Sequence, residues 1–101
     1  MTSPLQATYI LNPDILLREE DNGILLAVSM DDNDDNFYEF NDLTKECLKM
    51  FSIGIPTADI LKMLKEKAVN TTDQESVEFL EKFISDLLRL KILSKTWRIL
   101  V

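Results

Sequence analysis

The segment from Gln74 to Leu90 constrains the fold more than any other stretch of this sequence. Apolar residues recur in it every three or four positions, which predicts an amphipathic helix. The main stripe consists of Val77, Leu80, Ile84, Leu87 and Leu88. Phe79, Phe83 and Leu90 form a second apolar stripe on an adjacent face. One stripe is enough to dock a helix on a small core. The second stripe therefore faces either the protein's own strands or an open groove lined by Phe79 and Phe83.

Residues 15–29 are predicted to form a β-hairpin. Two predicted strands, 15–20 and 24–29, flank the turn Asp21-Asn22-Gly23. The Asn-Gly pair supplies the positive φ angles that a primed hairpin turn requires. The acidic run 31–36 that follows has neither the glycine nor the alternating spacing of a calcium-binding EF-hand loop. It is therefore interpreted as a solvated turn between strands.

The stretch Phe37-Tyr38-Glu39-Phe40-Asn41 predicts the third strand, because aromatic residues favour strands. Side chains alternate along a strand, so Phe37 and Glu39 point to one side and Tyr38 and Phe40 to the other. A three-stranded sheet has two edges, and an edge strand can pair with another chain. We therefore expect a free edge at this strand, with the long helix beside it.

Two shorter helices are predicted between this strand and the long helix. The first covers about residues 42–52, with Asn41 or Asp42 as its cap and Glu46 reaching back to the first turn. Gly54 ends it. The second is capped by Thr57 and continues to about residue 68.

Strands followed by helices give an α+β domain. The predicted architecture is winged-helix-like, with a three-stranded antiparallel sheet followed by three helices. Residues 1–8 are interpreted as a flexible lead-in, and residues 70–73 as a polar linker and cap. Residues 91–101 are apolar and β-rich toward their end. They predict a short wing strand or a pairing tail, in which Trp97 either packs or contacts a partner.

The composition excludes several function classes. The 101 residues include no His, one Cys and two Gly, so the usual general base, a zinc site and a phosphate-binding loop are all missing. We expect no catalytic residue, no metal and no cofactor, and hence a binding module rather than an enzyme. Cys47 lies in the apolar pattern of the first short helix and predicts a buried core residue.

The charge of the chain points to the kind of partner it attracts. Eighteen acidic residues oppose 11 basic ones, giving a net charge of −7. Nucleic-acid binders neutralise phosphates with clustered Lys and Arg, so nucleic acid is not expected, whereas basic peptides or surfaces are. The sequence contains no run of about 18 apolar residues, so no membrane-spanning helix is predicted. The first residues carry no secretory signal, and the single cysteine fits a reducing cytoplasm.

With these segments identified, the chain resembles the PqqD-like family. These are small domains that recognise peptides in the biosynthesis of ribosomally synthesised, post-translationally modified peptides. The resemblance covers residues 9–93, and the acidic run 31–36 and residues 94–101 depart from the family pattern. Its carriers are Asn12-Pro13-Asp14-Ile15-Leu16-Leu17-Arg18-Glu19-Glu20, Ile24-Leu25-Leu26, Phe37-Tyr38-Glu39-Phe40-Asn41-Asp42-Leu43-Thr44, Ile53-Gly54-Ile55-Pro56-Thr57-Ala58-Asp59-Ile60, Val77-Glu78-Phe79-Leu80 and Leu87-Leu88.

The resemblance implies a mechanism. The leader part of a precursor peptide would add as a further strand along the third strand, beside the third helix. The implied peptide-binding residues are Phe37, Tyr38, Glu39, Phe40 and Asn41 on the strand and Phe79, Phe83, Asp86 and Leu90 on the helix. The domain would then present the peptide to a modifying enzyme, often a radical SAM enzyme with an iron–sulfur cluster, by raising its local concentration.

Two other functions remain open from the sequence. A winged-helix regulator that associates with nucleic acid would use the second short helix, with Lys62, Lys65 and Lys67. The negative net charge of the whole chain opposes this function. An assembly subunit of an enzyme complex would use Trp97 and residues 94–101. The chain could also form a homodimer through its free strand edge.

Overall fold

The computed structural model describes Leu5 and residues 7–30, 37–67 and 70–95. A three-stranded antiparallel sheet is followed by three helices, which confirms the predicted α+β fold class. In chain order the elements are β1 (Tyr9–Leu11), β2 (Ile15–Glu19), β3 (Leu25–Ser29), β4 (Phe37–Phe40), α1 (Asp42–Ser52), α2 (Thr57–Lys67), α3 (Asp73–Arg89) and β5 (Leu93–Lys95). None of the described helices is both long enough and apolar enough to cross a bilayer.

The predicted hairpin is confirmed as β2 and β3, but its turn differs from the primed turn expected. The Glu20 N–H donates to Ile24 O at 2.8 Å, and the Gly23 N–H donates to Glu20 O at 2.9 Å. Gly23 has a φ of +87°, whereas Asn22 is not in the left-handed region. This is a three-residue loop with glycine in its last position. The side-chain oxygen of Asn22 accepts a hydrogen bond from the Ile24 N–H at 3.1 Å, which stabilises the loop.

A second, two-stranded sheet joins the two ends of the described chain. β1 pairs antiparallel with β5, and Leu11 lies opposite Leu93. The Asn12 N–H extends this contact by donating to Ile92 O at 2.8 Å. The predicted wing strand or pairing tail is thus a strand at residues 93–95, and its partner β1 was not predicted. Trp97 and the acidic run 31–36 lie outside the described residues.

The helix boundaries agree with the predictions to within a residue or two, but two caps differ. At α1 it is Thr44, not Glu46, that reaches back, since its Oγ1 accepts the Asn41 N–H at 3.2 Å. The Thr57 side chain does not cap α2. It is buried and donates to Ala7 O at 2.8 Å, which ties the start of the described chain to α2.

The other two helix ends follow known capping motifs. Gly54 has a φ of +82° and ends α1 in a Schellman motif, with its N–H bonded to Phe51 O. Thr72 caps α3 by accepting the Glu75 N–H at 3.1 Å, and the Glu75 carboxylate accepts the Thr72 N–H in return.

The core lies between one face of the β2-β3-β4 sheet and the three helices. The sheet contributes Leu25, Ala27 and Phe40, and each helix adds fully buried residues. These are Cys47, Leu48 and Phe51 from α1, Ile60 and Leu64 from α2, and Leu80, Ile84 and Leu87 from α3. Of the main stripe predicted for α3, Leu80, Ile84 and Leu87 are buried in the core, whereas Val77 is only partly buried and Leu88 is 36% exposed.

Cys47 is fully buried, as the sequence predicted. Burial raises the pKa of its thiol to about 12, and the charge of Glu46 adds to the effect. The thiolate is the reactive form of cysteine, so this thiol is unreactive in the folded protein.

Candidate functional site

The direction of the hydrogen bonds along β3 decides which backbone groups of β4 are free. In an antiparallel ladder, hydrogen-bonded residue pairs alternate with pairs that are not hydrogen-bonded. The Glu20 N–H donates to Ile24 O and the Met30 N–H donates to Asp14 O, both at 2.8 Å. These bonds mark the even-numbered residues of β3 as those that bond to β2. The odd-numbered residues of β3 therefore bond to β4.

Two residues of β4 consequently turn their backbone groups away from the sheet. Phe40 lies opposite Leu25 and Tyr38 lies opposite Ala27, so these two residues of β4 bond to β3. The N–H and C=O groups of Phe37 and Glu39 point outward, and no other described strand pairs with β4 on that side. The edge thus offers two donors and two acceptors to an incoming strand.

The side chains of β4 divide between the two faces of the sheet as the sequence predicted. Phe40 is buried in the core and Tyr38 is half-buried against it. Phe37 is 57% exposed on the opposite face, and Glu39 is also exposed there. Only Tyr38 and Phe40 therefore face the side on which the helices pack.

Asn41 ends the edge rather than extending it. Its N–H is bonded to Thr44 Oγ1 at 3.2 Å, and its C=O accepts both the Thr44 hydroxyl at 2.7 Å and the Lys45 N–H at 3.2 Å. Both main-chain groups of Asn41 are thus used by the first turn of α1. Of the predicted strand residues, Asn41 can contact a ligand only through its side chain.

Aromatic rings connect β4 to α3. Phe40 meets Phe83 edge-on, with ring centroids 6.1 Å apart. Phe79 stacks on Phe83, with centroids 5.9 Å apart and the planes 10° from parallel. Phe83 is only 9% exposed and belongs to the core, whereas Phe79 is 39% exposed. Of the two predicted groove residues, Phe79 is therefore the one that a ligand can reach. We call the space beside the edge of β4 and Phe79 the β4 groove.

Asp86 and Leu90 lie farther along α3, in line with Phe79 and Phe83 at helical spacing. Leu90 is partly buried against the core. The Asp86 carboxylate is close to two cations, Lys82 at 3.7 Å and Arg89 at 3.4 Å. This part of α3 is therefore charged and internally paired, unlike the aromatic part near Phe79.

A cavity of about 430 Å³ opens where β4 ends, and we call it the end pocket. It lies between the first turn of α1, the last part of α2 and the first turns of α3. Its lining is Asn41, Asp42, Leu43, Thr44, Leu64, Thr71, Glu75, Ser76 and Phe79. Only Asn41 and Phe79 of these were predicted as site residues. The others come from three separate segments, and no local pattern in the sequence indicates that they meet.

The opposite edge of the sheet, at β2, has a different environment. Glu19 is in contact with Lys45, and Lys49 Nζ lies 3.6 Å from its Oε1. The hydrogen bond from Lys45, followed by the charges of Lys45 and Lys49, lowers the pKa of Glu19 below its ordinary value. Arg18 and Glu20 form a further ion pair at 2.9 Å. Charged side chains therefore lie at the Glu19 end of this edge, whereas the start of β2 is apolar and Leu16 is 51% exposed.

Within the described residues, no group of three or more His, Cys, Asp or Glu side chains is arranged to hold a metal ion. The chemical groups that the β4 groove offers are main-chain donors and acceptors, aromatic rings and two carboxylates in the end pocket. Such a set suits the binding of an extended peptide.

Comparisons with known proteins give one informative result. A scan against protein-family models and a search of curated proteins find no match. A search of solved structures finds lasso peptide synthetase B1 complexed with the leader peptide, with a TM-score of 0.73 and 14% sequence identity. The match covers 85% of this chain and 96% of that chain. At this identity the likeness establishes a shared fold.

Proposed function

We propose that this chain is a non-catalytic adaptor that binds the leader region of a ribosomally synthesised precursor peptide. The peptide adds to β4 as a fourth strand of the sheet, and the chain presents it to a separate modifying enzyme. The observation that carries the proposal is the outward-facing backbone of Phe37 and Glu39 beside the exposed ring of Phe79. The fold shared with lasso peptide synthetase B1, whose structure was solved in complex with the leader peptide, supports it.

The proposed mechanism separates affinity from selectivity. Four main-chain hydrogen bonds to Phe37 and Glu39 hold any extended peptide, because they do not depend on its side chains. Alternate side chains of the added strand point toward the helices, where they meet Tyr38 and Phe79. Bulky apolar residues at every second position of the leader are therefore preferred. The chain itself supplies no chemistry, and it acts by holding the peptide near the modifying enzyme.

The first experiment is a calorimetric titration of the full chain with leader segments of short peptides encoded beside its gene. We expect one-to-one binding that persists at moderate salt, since main-chain hydrogen bonds and aromatic contacts are not screened. No binding to any of these peptides by the folded protein would count against the adaptor role. It would favour the assembly-subunit alternative, which a pull-down from cell extract would then examine.

Amide hydrogen exchange measured by NMR tests the strand addition itself. The outward-facing amides of Phe37 and Glu39 should exchange much more slowly in the complex. The amides of Tyr38 and Phe40 already bond to β3 and should change little. Protection of all four amides alike, or protection at β2 instead, would contradict pairing along the β4 edge.

A further inference from the structure

We propose that the end pocket receives an apolar side chain of the bound peptide that stands next to a lysine or arginine. The cation of that neighbouring residue contacts Asp42 and Glu75. This inference rests on the proposed function, because the pocket opens where the β4 edge ends and the peptide would continue into it. It specifies the leader as a segment with an aromatic or branched residue beside a basic one.

The size and lining of the end pocket favour an apolar side chain. Its volume of about 430 Å³ falls within the usual range of about 300–1,000 Å³ for ligand sites. Leu43, Leu64 and Phe79 provide its apolar walls. The exposed part of the Phe79 ring provides a flat surface on which another ring can stack.

The charges in the pocket lining favour a basic neighbour. Asp42 and Glu75 both line the pocket and are both exposed, and none of the described lining residues is Lys or Arg. Within the described residues, neither carboxylate forms an ion pair, whereas Glu19, Glu20 and Asp86 elsewhere all do. The chain as a whole carries a net charge of −7, which also attracts a cationic segment. Glu75 Oε1 accepts hydrogen bonds from the Thr72 N–H and hydroxyl, but a carboxylate can accept more, so a peptide cation would find two carboxylates without a cationic partner among the described residues.

Two substitutions remove these charges while keeping the shape of the site. Glu75→Gln retains the capping box with Thr72, since Gln serves at that position as well as Glu. Asp42 has a φ of +50°, and Asp42→Asn suits this conformation because Asn tolerates the left-handed region. The matched control is Asp14→Asn with Asp21→Asn. It changes the net charge by the same amount and affects two exposed residues that do not line the pocket.

The experiment selects binders to the full-length chain from a displayed library of random 15-residue peptides. The probe used afterward is the most enriched peptide, synthesised and titrated calorimetrically. We expect enriched sequences to pair an aromatic or branched residue with an adjacent Lys or Arg. The Asp42→Asn/Glu75→Gln variant should bind this peptide about three- to tenfold more weakly at low salt, and the control pair equally well. Replacing the peptide's basic residue with Gln should weaken wild-type binding similarly and cause little further loss in the variant.

The possible outcomes separate this inference from the proposed function. Suppose that the selected peptides bind the Glu39→Pro variant more weakly but contain no preferred basic residue, or bind the double variant as tightly as wild type. This result would overturn the inference and leave the adaptor role intact. A selection that yields no peptide, or only peptides indifferent to Glu39→Pro, would overturn both. Circular dichroism melts of each variant establish that the proteins compared are folded.

Discussion

The two edges of the three-stranded sheet expose similar backbone groups, yet their surroundings differ. At β2 the outward groups lie beside Glu19, which Lys45 and Lys49 hold, and an Arg18–Glu20 ion pair stands next to it. At β4 the outward groups lie among aromatic side chains. Charged side chains discourage an apolar strand from pairing, because it would have to desolvate them. The β2 edge is thus guarded by charges at its Glu19 end, whereas the β4 edge, where we propose that a peptide pairs, lies beside aromatic rings.

The largest expected effect is the difference in stability between alanine variants of Phe83, a core residue, and Phe79, a residue of the β4 groove. Phe83→Ala should lower the free energy of unfolding by about 3 kcal/mol, because the ring is buried and its removal leaves a cavity. Phe79→Ala should cost only about 1 kcal/mol, yet weaken peptide binding about tenfold. Urea unfolding and calorimetry of both variants provide the measurements. Equal losses of stability would show that Phe79 is a core residue and not part of the β4 groove.

The comparison of the two edges can be tested directly with proline, which removes an N–H donor. Glu39→Pro should weaken peptide binding about tenfold or more, because it removes an outward donor and leaves a peptide carbonyl unpaired. Glu19→Pro is the matched control, since it replaces the same residue type at an outward position of β2. Calorimetry should show unchanged binding for the control. If both prolines weaken binding alike, the peptide does not choose between the edges.

The two lysines that contact Glu19 at the β2 edge should contribute unequally to stability. The Lys45 ammonium donates to Gly23 O at 2.8 Å and contacts Glu19, and its side chain is only 17% exposed. Lys45→Met keeps the aliphatic chain but loses both contacts, so it should lower stability by about 1 kcal/mol. Lys49→Met, with an ion-pair distance of 3.6 Å and a more exposed side chain, should cost less than about 0.5 kcal/mol. Equal costs in urea unfolding would contradict the role assigned to Lys45.

The smallest expected effect is the pH dependence of the stability that the Glu19 ion pairs contribute. The pKa of Glu19 is lower in the folded protein than its ordinary value of 4.5. Its ion pairs therefore stabilise the fold above that value, and this contribution is lost as the pH falls through the lowered pKa. The stability difference between wild type and Glu19→Gln should be largest near neutral pH and should shrink in acid. A difference that does not change with pH would show that the ion pairs contribute nothing.

Much of the fold could be predicted from local patterns. The apolar spacing and the capping residues of α1 and α3 lie within a few positions of each other, so the sequence shows the helices directly. The pairing of β1 with β5 could not be predicted in this way. Each of these strands has three residues and the pair lies more than 80 residues apart in sequence, so no local signal connects them.

The candidate site was predictable only where one element forms it. Alternation along β4 correctly assigned the faces of its four residues, because that rule holds within a single strand. The second stripe of α3 identified Phe79 and Phe83 together. It could not tell which of them is buried, since that depends on where Phe40 of β4 meets the helix. The end pocket was missed because three helices contribute to it.

The unreactive thiol of Cys47 has a practical consequence for studying the groove. It is the only cysteine in the sequence, and its burial and raised pKa keep it from reacting in the folded protein. A cysteine introduced at an exposed position such as Glu39 would therefore take a maleimide dye alone, without removal of the native residue. A change in the fluorescence of the labelled chain would then report the proposed addition of a peptide strand.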